Sequence, residues 1–441
     1  MATWRNWAGN QTVDGVTIAH PEAPDHVAAI VDQARAEGRR VKAIGSGHSF
    51  TGIGRPEGPQ GIQVVLDRLT GIRSIDRDSG RVTVGAGTPL HRLNDLLAGA
   101  GLALPNLGDI DAQTIAGAIS TGTHGTGARF GGLATEVTGL ELVTADGTVT
   151  GCSADHEPDL WASARVGLGA LGVVTAVTLQ TVPLFGLRAE EGPMRLDELL
   201  GRFEELASGY DHFEAYWFPH TGAALTKRNT RLSLDGGLDR LPVWKEWFED
   251  QFLSNTAFGW IIEAGKRRPD WIPAANRLSS RALGSRTFVD LSYKVFTSPR
   301  RVRFCEMEYA IPRETAVTAV RNVVDAVESS GMRIAFPVEL RVAAADDIPL
   351  STASGRDSAY VAVHVPAGTD FRPYFDLVAG VLDPYGGRPH WGKLHDLGAE
   401  ELRERYPRFD EFVAIRDRVD PGGLFTNQYL DRVLGRPREE G

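Results

Sequence analysis

Two glycine-rich segments in the first third of the chain constrain its fold more than any other feature. The first, residues 45–50 (GSGHSF), follows a strand predicted at residues 41–44, and the second is residues 121–127 (TGTHGTG). Residues this small let the backbone approach a ligand closely, and their consecutive N–H groups can bind an anion such as a pyrophosphate. Taken singly, each loop could also be a tight turn with an incidental histidine. Two such loops in one domain favour an extended, phosphate-bearing ligand.

Hydrophobic patterns around these loops predict a domain of mixed α and β structure. Apolar residues between Val27 and Ala34 recur at helical spacing, and Asp146-Gly147 between two β-branched runs predicts a hairpin. Further patterns predict a helix near residues 90–97 and strands near 63–66, 81–84 and 173–182. We therefore place the end of an N-terminal domain at residue 183.

The rest of the chain divides into two further parts. Residues 184–385 form a second predicted domain, with strands near 338–342 and 360–364. The C-terminal segment, residues 386–441, contains Pro389-His390-Trp391-Gly392-Lys393 and a charged helix that begins near Glu400. A chain of 441 residues is long enough for two or three domains of this size.

Composition argues against several classes of partner. The formal charge is -10 and the pI is near 5.6, so no basic field exists to neutralise a nucleic acid. No stretch approaches the roughly 18 apolar residues that cross a bilayer, and the N-terminus lacks the pattern of a secretory signal. We therefore expect a cytoplasmic protein with a small-molecule partner and with neither a nucleic-acid nor a membrane partner.

Familiar cofactor and metal motifs are absent or in the wrong context. Gly167, Gly169 and Gly172 match G-x-G-x-x-G, but a helix-like segment precedes them and a strand follows, the reverse of the order in a dinucleotide-binding fold. No Walker, H-E-x-x-H or G-x-S-x-G pattern occurs. Cys152 and Cys305 have no C-x-x-C partner, so we predict two buried thiols and no metal site.

Four residues in the C-terminal half are candidates for chemistry. Glu339 and Arg341 stand at i and i+2 on a predicted strand, so both side chains point to one face. His364 lies on another predicted strand, and Lys393 follows Trp391-Gly392. Each alone is more often structural, for example as part of a salt bridge. Their significance comes from their combination.

Read together, residues 45–50, 121–127, 389–393 and 425–427 resemble the aldonolactone and alditol oxidases, which are flavoenzymes of the vanillyl-alcohol-oxidase type. The resemblance extends over nearly the whole chain. It implies an α+β fold with a two-subdomain FAD-binding domain of the vanillyl-alcohol-oxidase (PCMH) type at residues 1–183. An inserted α+β substrate domain would occupy residues 184–385, and residues 386–441 would rejoin the FAD domain.

The resemblance also implies the cofactor contacts. It makes His48 the residue joined covalently to the 8α-methyl carbon of FAD. It places Gly108 at the position that controls oxygen access to the flavin, where a missing side chain leaves space and favours an oxidase that releases hydrogen peroxide. The other residues implied along the cofactor are Ala43, Ile44, Gly45, Ser46, Gly47, Ser49, Asp109, Thr114, Gly117, Thr121, Gly122, Thr123, His124, Val173 and His390.

The same resemblance places Glu339, Arg341, His364 and Lys393 on the substrate side of the flavin. The oxidation needs a polar group that takes the hydroxyl proton while the carbon-bound hydrogen leaves as hydride to flavin N5. His364 is the first candidate, because an unperturbed imidazole has a pKa near ~6.5. Glu339 would orient Arg341 or bind substrate hydroxyls, and the two cations would stabilise developing negative charge.

Two departures from the alditol oxidases bear on the substrate. Those enzymes carry a serine at the position of Asp109 and a threonine at the position of Pro366, and both contact the polyol. We therefore expect a five-membered sugar lactone, of the L-gulono- or D-arabinono-1,4-lactone type, oxidised at C2 with oxygen as acceptor. The alternatives are an alditol oxidase that acts on the terminal carbon of a polyol such as xylitol, and a silent flavin- or sugar-binding protein.

Overall fold

The computed structural model describes residues 2–58, 61–242, 258–298 and 302–437. Its architecture is α+β, as predicted, and is built on four β-sheets of four, five, two and eight strands. The three smaller sheets belong to the N-terminal part of the chain. The eight-stranded sheet is formed by the middle of the chain and one short C-terminal strand.

The first sheet carries the first glycine-rich loop. It has the order β1-β2-β4-β3, and β4 runs parallel to both β2 and β3. Parallel strands need a crossover, which the helix Pro24–Ala36 provides between β2 and β3 while it buries Val27 and Val31 against the sheet. Residues 45–50 leave β3 at its carboxyl end. The strands are Ala2–Arg5 (β1), Thr12–Ala19 (β2), Arg40–Ile44 (β3) and Gly61–Val65 (β4).

The second sheet is antiparallel, with the order β5-β6-β10-β8-β9. The predicted hairpin at Asp146-Gly147 joins β8 to β9, and Gly147 has the positive φ of 83° that such a turn favours. The strands are Ile72–Asp76 (β5), Arg81–Gly85 (β6), Val137–Val143 (β8), Val149–Ser153 (β9) and Val173–Gln180 (β10).

One predicted strand is divided in the structure. The pattern at residues 173–182 predicts a single strand, but β10 ends at Gln180, and the Thr181 N–H donates to the carbonyl oxygen of Gly80. The next two residues, Val182–Pro183 (β11), pair instead with Leu102–Ala103 (β7) in a separate two-stranded sheet. The β-branched pattern was correct, but the change of pairing partner depends on tertiary contacts.

The eight-stranded sheet is antiparallel throughout, with the order β15-β12-β14-β13-β17-β18-β16-β19. The predicted strands near 338–342 and 360–364 are neighbours in this sheet, as β17 and β18. The strands are Gly186–Arg195 (β12), His212–Trp217 (β13), Ala223–Leu232 (β14), Arg286–Leu291 (β15), Phe304–Pro312 (β16), Val338–Ala343 (β17), Ser358–Pro366 (β18) and Arg388–Pro389 (β19).

The two faces of this sheet differ in chemistry because alternate residues of a strand point to opposite sides. On one face, apolar residues such as Leu340 and Val363 pack with the helices Ala316–Ser329 and Arg372–Leu382 in a hydrophobic core. The opposite face, here called the polar face, is turned towards the segment 121–127. It carries Glu214, Tyr216, Glu306, Glu308, Glu339, Arg341, Tyr360 and His364.

The C-terminal segment returns to the N-terminal part of the molecule. Its helices Ala399–Arg405, Phe409–Val419 and Gln428–Leu434 share a core with β10 and the helix Leu90–Gly99. The domain limits at 183 and 385 stay predictions. The other helices are Ile115–Ser120, Pro158–Ala164, Leu196–Gly201, Phe203–Gly209, Phe258–Arg267, Ile272–Arg281 and Ser292–Phe296.

The composition predicts two buried cysteine thiols and no segment long enough to cross a bilayer. Cys152 and Cys305 are both buried and both free, as predicted. Within the described ranges, none of the helices has the length and apolar character that crossing a membrane would require.

Trp391 anchors the C-terminal segment, and its replacement tests that role. Its side chain is fully buried, stacks on Tyr406 and donates from Nε1 to the carbonyl oxygen of Leu350 at 2.7 Å. We expect Trp391→Ala to lower the free energy of unfolding by about 3–5 kcal/mol, because the cavity it leaves cannot fully close. Trp271, which is 62% exposed, provides the matched control. Trp271→Ala should change the free energy of unfolding by less than about 0.5 kcal/mol in the same denaturant titration. Equal losses in both variants would contradict this role.

Candidate active site

A cavity lies at the carboxyl end of β3. It is bounded by the first glycine-rich loop, by the helix Ile115–Ser120 and by the loop that precedes β10. Ten residues that the sequence resemblance assigns to FAD line this cavity. They are Ala43, Ile44, Gly45, Ser46, Gly47, His48, Ser49, Thr114, Gly117 and Thr121.

The geometry of the loop fits a bound diphosphate. Within the described chain, the backbone N–H groups of residues 46–49 donate to no other residue, so four consecutive donors remain for a ligand. Gly47 has a φ of 68°, which favours glycine. A Cβ at Gly45 would lie 2.2 Å from Thr114 Oγ1, so only glycine permits this close approach. These features are those expected of the pyrophosphate loop of an FAD site.

Lys42 is a cavity residue that the sequence analysis missed. Its side chain is buried, and Nζ donates to the carbonyl oxygens of Gly169 at 3.2 Å and Phe425 at 3.1 Å. Burial lowers its pKa to about 7, although the nearby Asp420 carboxylate opposes this shift. The signal in the sequence was a cation inside an otherwise apolar strand. Lys42 thus ties the C-terminal segment to the wall of the cavity.

The G-x-G-x-x-G glycines have a different role from the one their motif suggests. As predicted, they follow a helix, Pro158–Ala164, and precede β10, which is not the Rossmann order. Gly169 and Gly172 nevertheless line the cavity, with φ angles of 63° and 146°. This position was not predicted, because the motif indicates a ligand site only where a strand precedes it and a helix follows.

His48 lies where the cavity approaches the polar face of the eight-stranded sheet. Its ring stacks on Trp7 with a centroid distance of 5.3 Å. Burial and the positive charge of Lys393 lower its pKa to about 4, so the imidazole is neutral at pH 7. A neutral imidazole has the free electron pair that a nucleophile requires.

Arg341 forms the centre of the first cluster on the polar face. Its Nη2 lies 2.5 Å from Glu339 Oε1 and 3.5 Å from Asp109 Oδ1, and its Nε donates to Glu214 Oε2 at 3.0 Å. The Tyr216 hydroxyl donates to Glu339 Oε1 at 3.0 Å. Asp109, assigned to the cofactor by resemblance, therefore sits with the substrate-side residues. Glu214 and Tyr216 were not predicted.

The carboxylates around Arg341 differ in proton affinity. Burial raises the pKa of Glu339, and Arg341 offsets that increase only in part. Burial would also raise the pKa of Glu214, but Lys227, whose Nζ is 3.1 Å from Glu214 Oε1, and Arg341 together lower it. Burial therefore favours the protonated form of Glu339, whereas the neighbouring cations favour the charged form of Glu214.

Glu306 forms a second cluster with His364 and Lys393, the other two predicted catalytic residues. It forms an ion pair with Lys393, and its Oε1 lies 3.6 Å from His364 Nε2. His364 Nδ1 is buried and has no hydrogen-bond partner among the described residues. Glu306, Glu339 and His364 each offer one atom to a triangle with no side longer than 4.8 Å. The two clusters thus converge, and all four predicted catalytic residues lie together.

Such a triangle also has the composition of a metal site. Both carboxylates, however, already have cationic partners, Lys393 for Glu306 and Arg341 for Glu339. The group is therefore an ion-pair cluster, and the absence of a metal site stays a prediction. Glu306 was missed in the sequence, although Glu306 and Glu308 show the same i, i+2 spacing in an apolar strand as Glu339 and Arg341.

The remaining residues assigned to the cofactor do not line the cavity, and two of them, His124 and His390, contact the eight-stranded sheet. His124 Nε2 lies 3.0 Å from Glu308 Oε1, and its ring stacks on Tyr360 at 3.7 Å. The backbone N–H of His390 donates to the carbonyl oxygen of Glu308, and burial lowers the pKa of its imidazole to about 3. A Cβ at Gly108 would lie 3.1 Å from the carbonyl oxygen of His124.

Three other assigned residues support the cavity wall. Thr123 Oγ1 accepts a hydrogen bond from Gln113 Nε2 at 3.2 Å, and Gln113 lines the cavity. Gly122, with a φ of 76°, packs near Trp391. Val173 is the first residue of β10 and lies between two lining residues, Gly172 and Val174.

Comparison with known proteins agrees with this geometry. Residues 177–433 match the model of the D-arabinono-1,4-lactone oxidase family, and residues 17–153 match an FAD-binding domain. The chain belongs to the D-arabinono-1,4-lactone oxidase family. It is therefore an FAD-dependent oxidoreductase of the sugar-lactone oxidase and dehydrogenase type, as the resemblance implied.

Three relatives match this chain over nearly their full length. An L-gulono-1,4-lactone dehydrogenase of Mycobacterium tuberculosis is 44% identical, with 98% of this chain and 99% of the relative covered. An L-gulonolactone oxidase of Bos taurus is 32% identical, with 98% of both chains covered. An alditol oxidase of a Streptomyces species is 31% identical, with 97% of this chain and 98% of the relative covered.

Solved structures support the PCMH-type fold. A cholesterol oxidase from B. sterolicum superposes with a TM-score of 0.83 at 19% identity, covering 98% of this chain and 96% of that one. A solvent-stable cholesterol oxidase gives a TM-score of 0.80 at 20% identity, covering 98% and 97%. Identities this low show a shared fold only. The expected fold class, an FAD-binding α+β architecture of this type, is confirmed.

The close approach of Gly45 to Thr114 gives a direct test of the FAD cavity. We expect Gly45→Ala to lower the FAD-to-protein ratio and to destabilise the fold by about 1–3 kcal/mol, because the added methyl group overlaps Thr114 Oγ1. Absorbance at 450 and 280 nm and a thermal melt measure both effects. Gly99→Ala, with no atom within 4 Å of the added Cβ, is the matched control and should retain its FAD. A Gly45→Ala protein with full FAD content would contradict the assignment.

Proposed function

We propose that this enzyme oxidises the C2 hydroxyl of an aldono-1,4-lactone of the L-gulono or D-arabinono type, with molecular oxygen as the final acceptor. The convergence of His364, Glu339 and Glu306 between two cations, Arg341 and Lys393, carries this proposal. Such a group can take a hydroxyl proton and stabilise negative charge at the same point. The 44% identity to a protein named L-gulono-1,4-lactone dehydrogenase favours the lactone.

His364 is the proposed proton acceptor. FAD, when bound, supplies the hydride acceptor at N5. His364 Nδ1 has no partner within the described residues, and Nε2 faces Glu306, whose negative charge stabilises the imidazolium that forms when the ring takes a proton. Glu339 is the second candidate, because burial raises its pKa above that of an ordinary carboxyl group.

The two cations stabilise the negative charge that develops on the substrate oxygen. Arg341 and Lys393 both have raised pKa values: burial alone would lower them, but the surrounding carboxylates more than compensate. Both therefore stay protonated across the neutral range. A fixed positive charge that needs no reorganisation during the reaction is the most effective form of electrostatic stabilisation.

The preference for a lactone over a polyol rests on Asp109. Its carboxylate lies 3.5 Å from Arg341 Nη2, so this position provides an ion-paired acceptor instead of the hydroxyl group that alditol oxidases offer. A polyol would lose that hydroxyl partner. An alditol oxidase acting at a terminal carbon remains the second candidate, since such an enzyme is 31% identical to this chain.

Anaerobic titration of the purified enzyme tests the proposed function. L-gulono-1,4-lactone should bleach the flavin absorption near 450 nm, because the proposed proton acceptor and the two cations promote oxidation of its C2 hydroxyl. Xylitol should bleach the flavin far more slowly, because Asp109 replaces the hydroxyl group that would bind a polyol. Heat-denatured enzyme with added FAD is the control for non-enzymatic reduction. Bleaching by xylitol alone would favour the polyol reaction, and no bleaching by either sugar would contradict both.

We also propose a covalent bond between the neutral imidazole of His48 and the 8α-methyl carbon of the flavin. A C–H bond of that methyl group would break with loss of a proton, the flavin ring would take up the two electrons, and molecular oxygen would reoxidise it. The expected result is that yellow colour stays with the protein after acid precipitation and is released to the supernatant in His48→Ala. The physical reason is the lowered pKa of His48, which keeps its ring nitrogen free to react at neutral pH. Colour released from the unsubstituted enzyme would rule out the bond.

The pH dependence of kcat/KM identifies the base. We expect His364→Ala to lower kcat about 10²–10⁴-fold and to abolish the acidic limb, because the group that must be deprotonated is gone. Glu339→Gln should retain that limb. The reverse result would make Glu339 the base, and unchanged profiles in both variants would exclude both residues.

Gly108 provides a test of oxygen as acceptor. We expect Gly108→Ala to slow hydrogen peroxide formation while turnover with an artificial acceptor is preserved, since the added methyl group occupies the space beside the His124 carbonyl oxygen. Peroxide and dye-reduction assays on the same sample measure the two reactions. Equal oxygen rates in the two proteins would argue against this role.

The cytoplasmic location predicted from the sequence remains a proposal of the same kind.

A further inference from the structure

We propose that Glu306 is a positioning residue, which holds the Lys393 ammonium group and the His364 ring in place for catalysis. The inference deepens the proposed function and rests on it for the catalytic roles of Lys393 and His364. Its structural part, a buried carboxylate that organises two predicted catalytic residues, rests on the contacts of Glu306 alone.

Glu306 links three parts of the chain that are far apart in sequence. It lies on β16 directly opposite His364 on β18. Its carbonyl oxygen accepts a hydrogen bond from the Leu394 N–H at 2.9 Å, which fixes the backbone next to Lys393. Its carboxylate pairs with Lys393 itself. The backbone and the side chain of Glu306 therefore fix the positions of Lys393 and His364 relative to each other.

The ion pair between Glu306 and Lys393 is buried, so loss of either charge would leave the other without its partner. Glu306 is only 4% exposed, and an isolated charge in that position would be costly. Burial would lower the pKa of Lys393, but Glu306 is the strongest of the groups that raise it. The other charged or titratable groups that interact with Lys393 are Glu308, Asp109, His48 and His390.

Glu308 provides a matched control. It is two residues along on the same strand and face, and it is buried to a similar degree. Its side chain, however, pairs with His124 rather than with Lys393. Replacing either glutamate by glutamine removes one buried charge and preserves size, so the comparison separates a general effect of burial from a specific effect on Lys393.

The first measurement follows Lys393 directly by carbon NMR of the holoenzyme labelled at lysine Cε. The chain has only six lysines (Lys42, Lys227, Lys245, Lys266, Lys294 and Lys393), and Lys393→Arg assigns the resonance. In the unsubstituted enzyme we expect Lys393 to titrate at a higher pH than an ordinary lysine, with a midpoint that serves as the reference. In Glu306→Gln its midpoint should fall by at least about one pH unit, and in Glu308→Gln by clearly less.

The second measurement connects this shift to catalysis. Because Lys393 would lose its proton at lower pH, the alkaline limb of kcat/KM in Glu306→Gln should move down by the same amount as the NMR midpoint. Glu306→Asp, which keeps the charge, should restore the limb in part and also serves if Glu306→Gln does not fold. In a Lys393→Met background, Glu306→Gln should leave the alkaline limb unchanged.

The outcomes separate this inference from the proposed function. An unchanged Lys393 resonance in Glu306→Gln would overturn the inference, as would a shifted resonance with an unchanged alkaline limb. An equal shift in Glu308→Gln would also overturn it, because the effect would then be general. Failure of any lactone to bleach the flavin contradicts only the proposed function, since the NMR measurement needs no substrate.

Discussion

The buried contact between residues 121–127 and the polar face of the eight-stranded sheet is the interaction on which the candidate site depends. His124 pairs with Glu308 and stacks on Tyr360, and the Gly127 N–H donates to the carbonyl oxygen of Val342. All three of these side chains are buried, with 5% or less of each residue exposed. The cavity predicted to hold FAD and the two clusters of predicted catalytic residues are neighbours because the same loop, residues 121–127, packs against the sheet on one side and contributes Thr121 to the cavity wall.

Burying so many charges is possible only because nearly every one is paired. An unpaired charge in such an environment costs several kcal/mol, whereas a paired and hydrogen-bonded one is tolerated. The polar face meets this condition with Arg341 among three carboxylates and Lys393 beside Glu306. Glu339 nevertheless keeps a raised pKa, because the effect of burial outweighs that of its pairing with Arg341.

Much of the fold followed from local patterns. The helix Pro24–Ala36, the hairpin at Asp146-Gly147 and strands β17 and β18 appear where periodicity and turn chemistry placed them. The prediction of one strand at residues 173–182 was wrong at its end, because a new pairing partner takes over at β11. The pattern of a strand is local, but the point where it changes sheets is decided by residues elsewhere in the chain.

Local patterns identified the two glycine loops and the strand that precedes the first of them, and the family resemblance selected the four residues predicted to be catalytic. Only the assembled fold brings Glu306, Glu214 and Tyr216 into contact with those residues and places Lys42 in the cavity wall. The physical reason is the range of the interactions. A turn or an alternating strand is encoded within a few residues, whereas an ion pair between strands requires a register that only the assembled sheet defines.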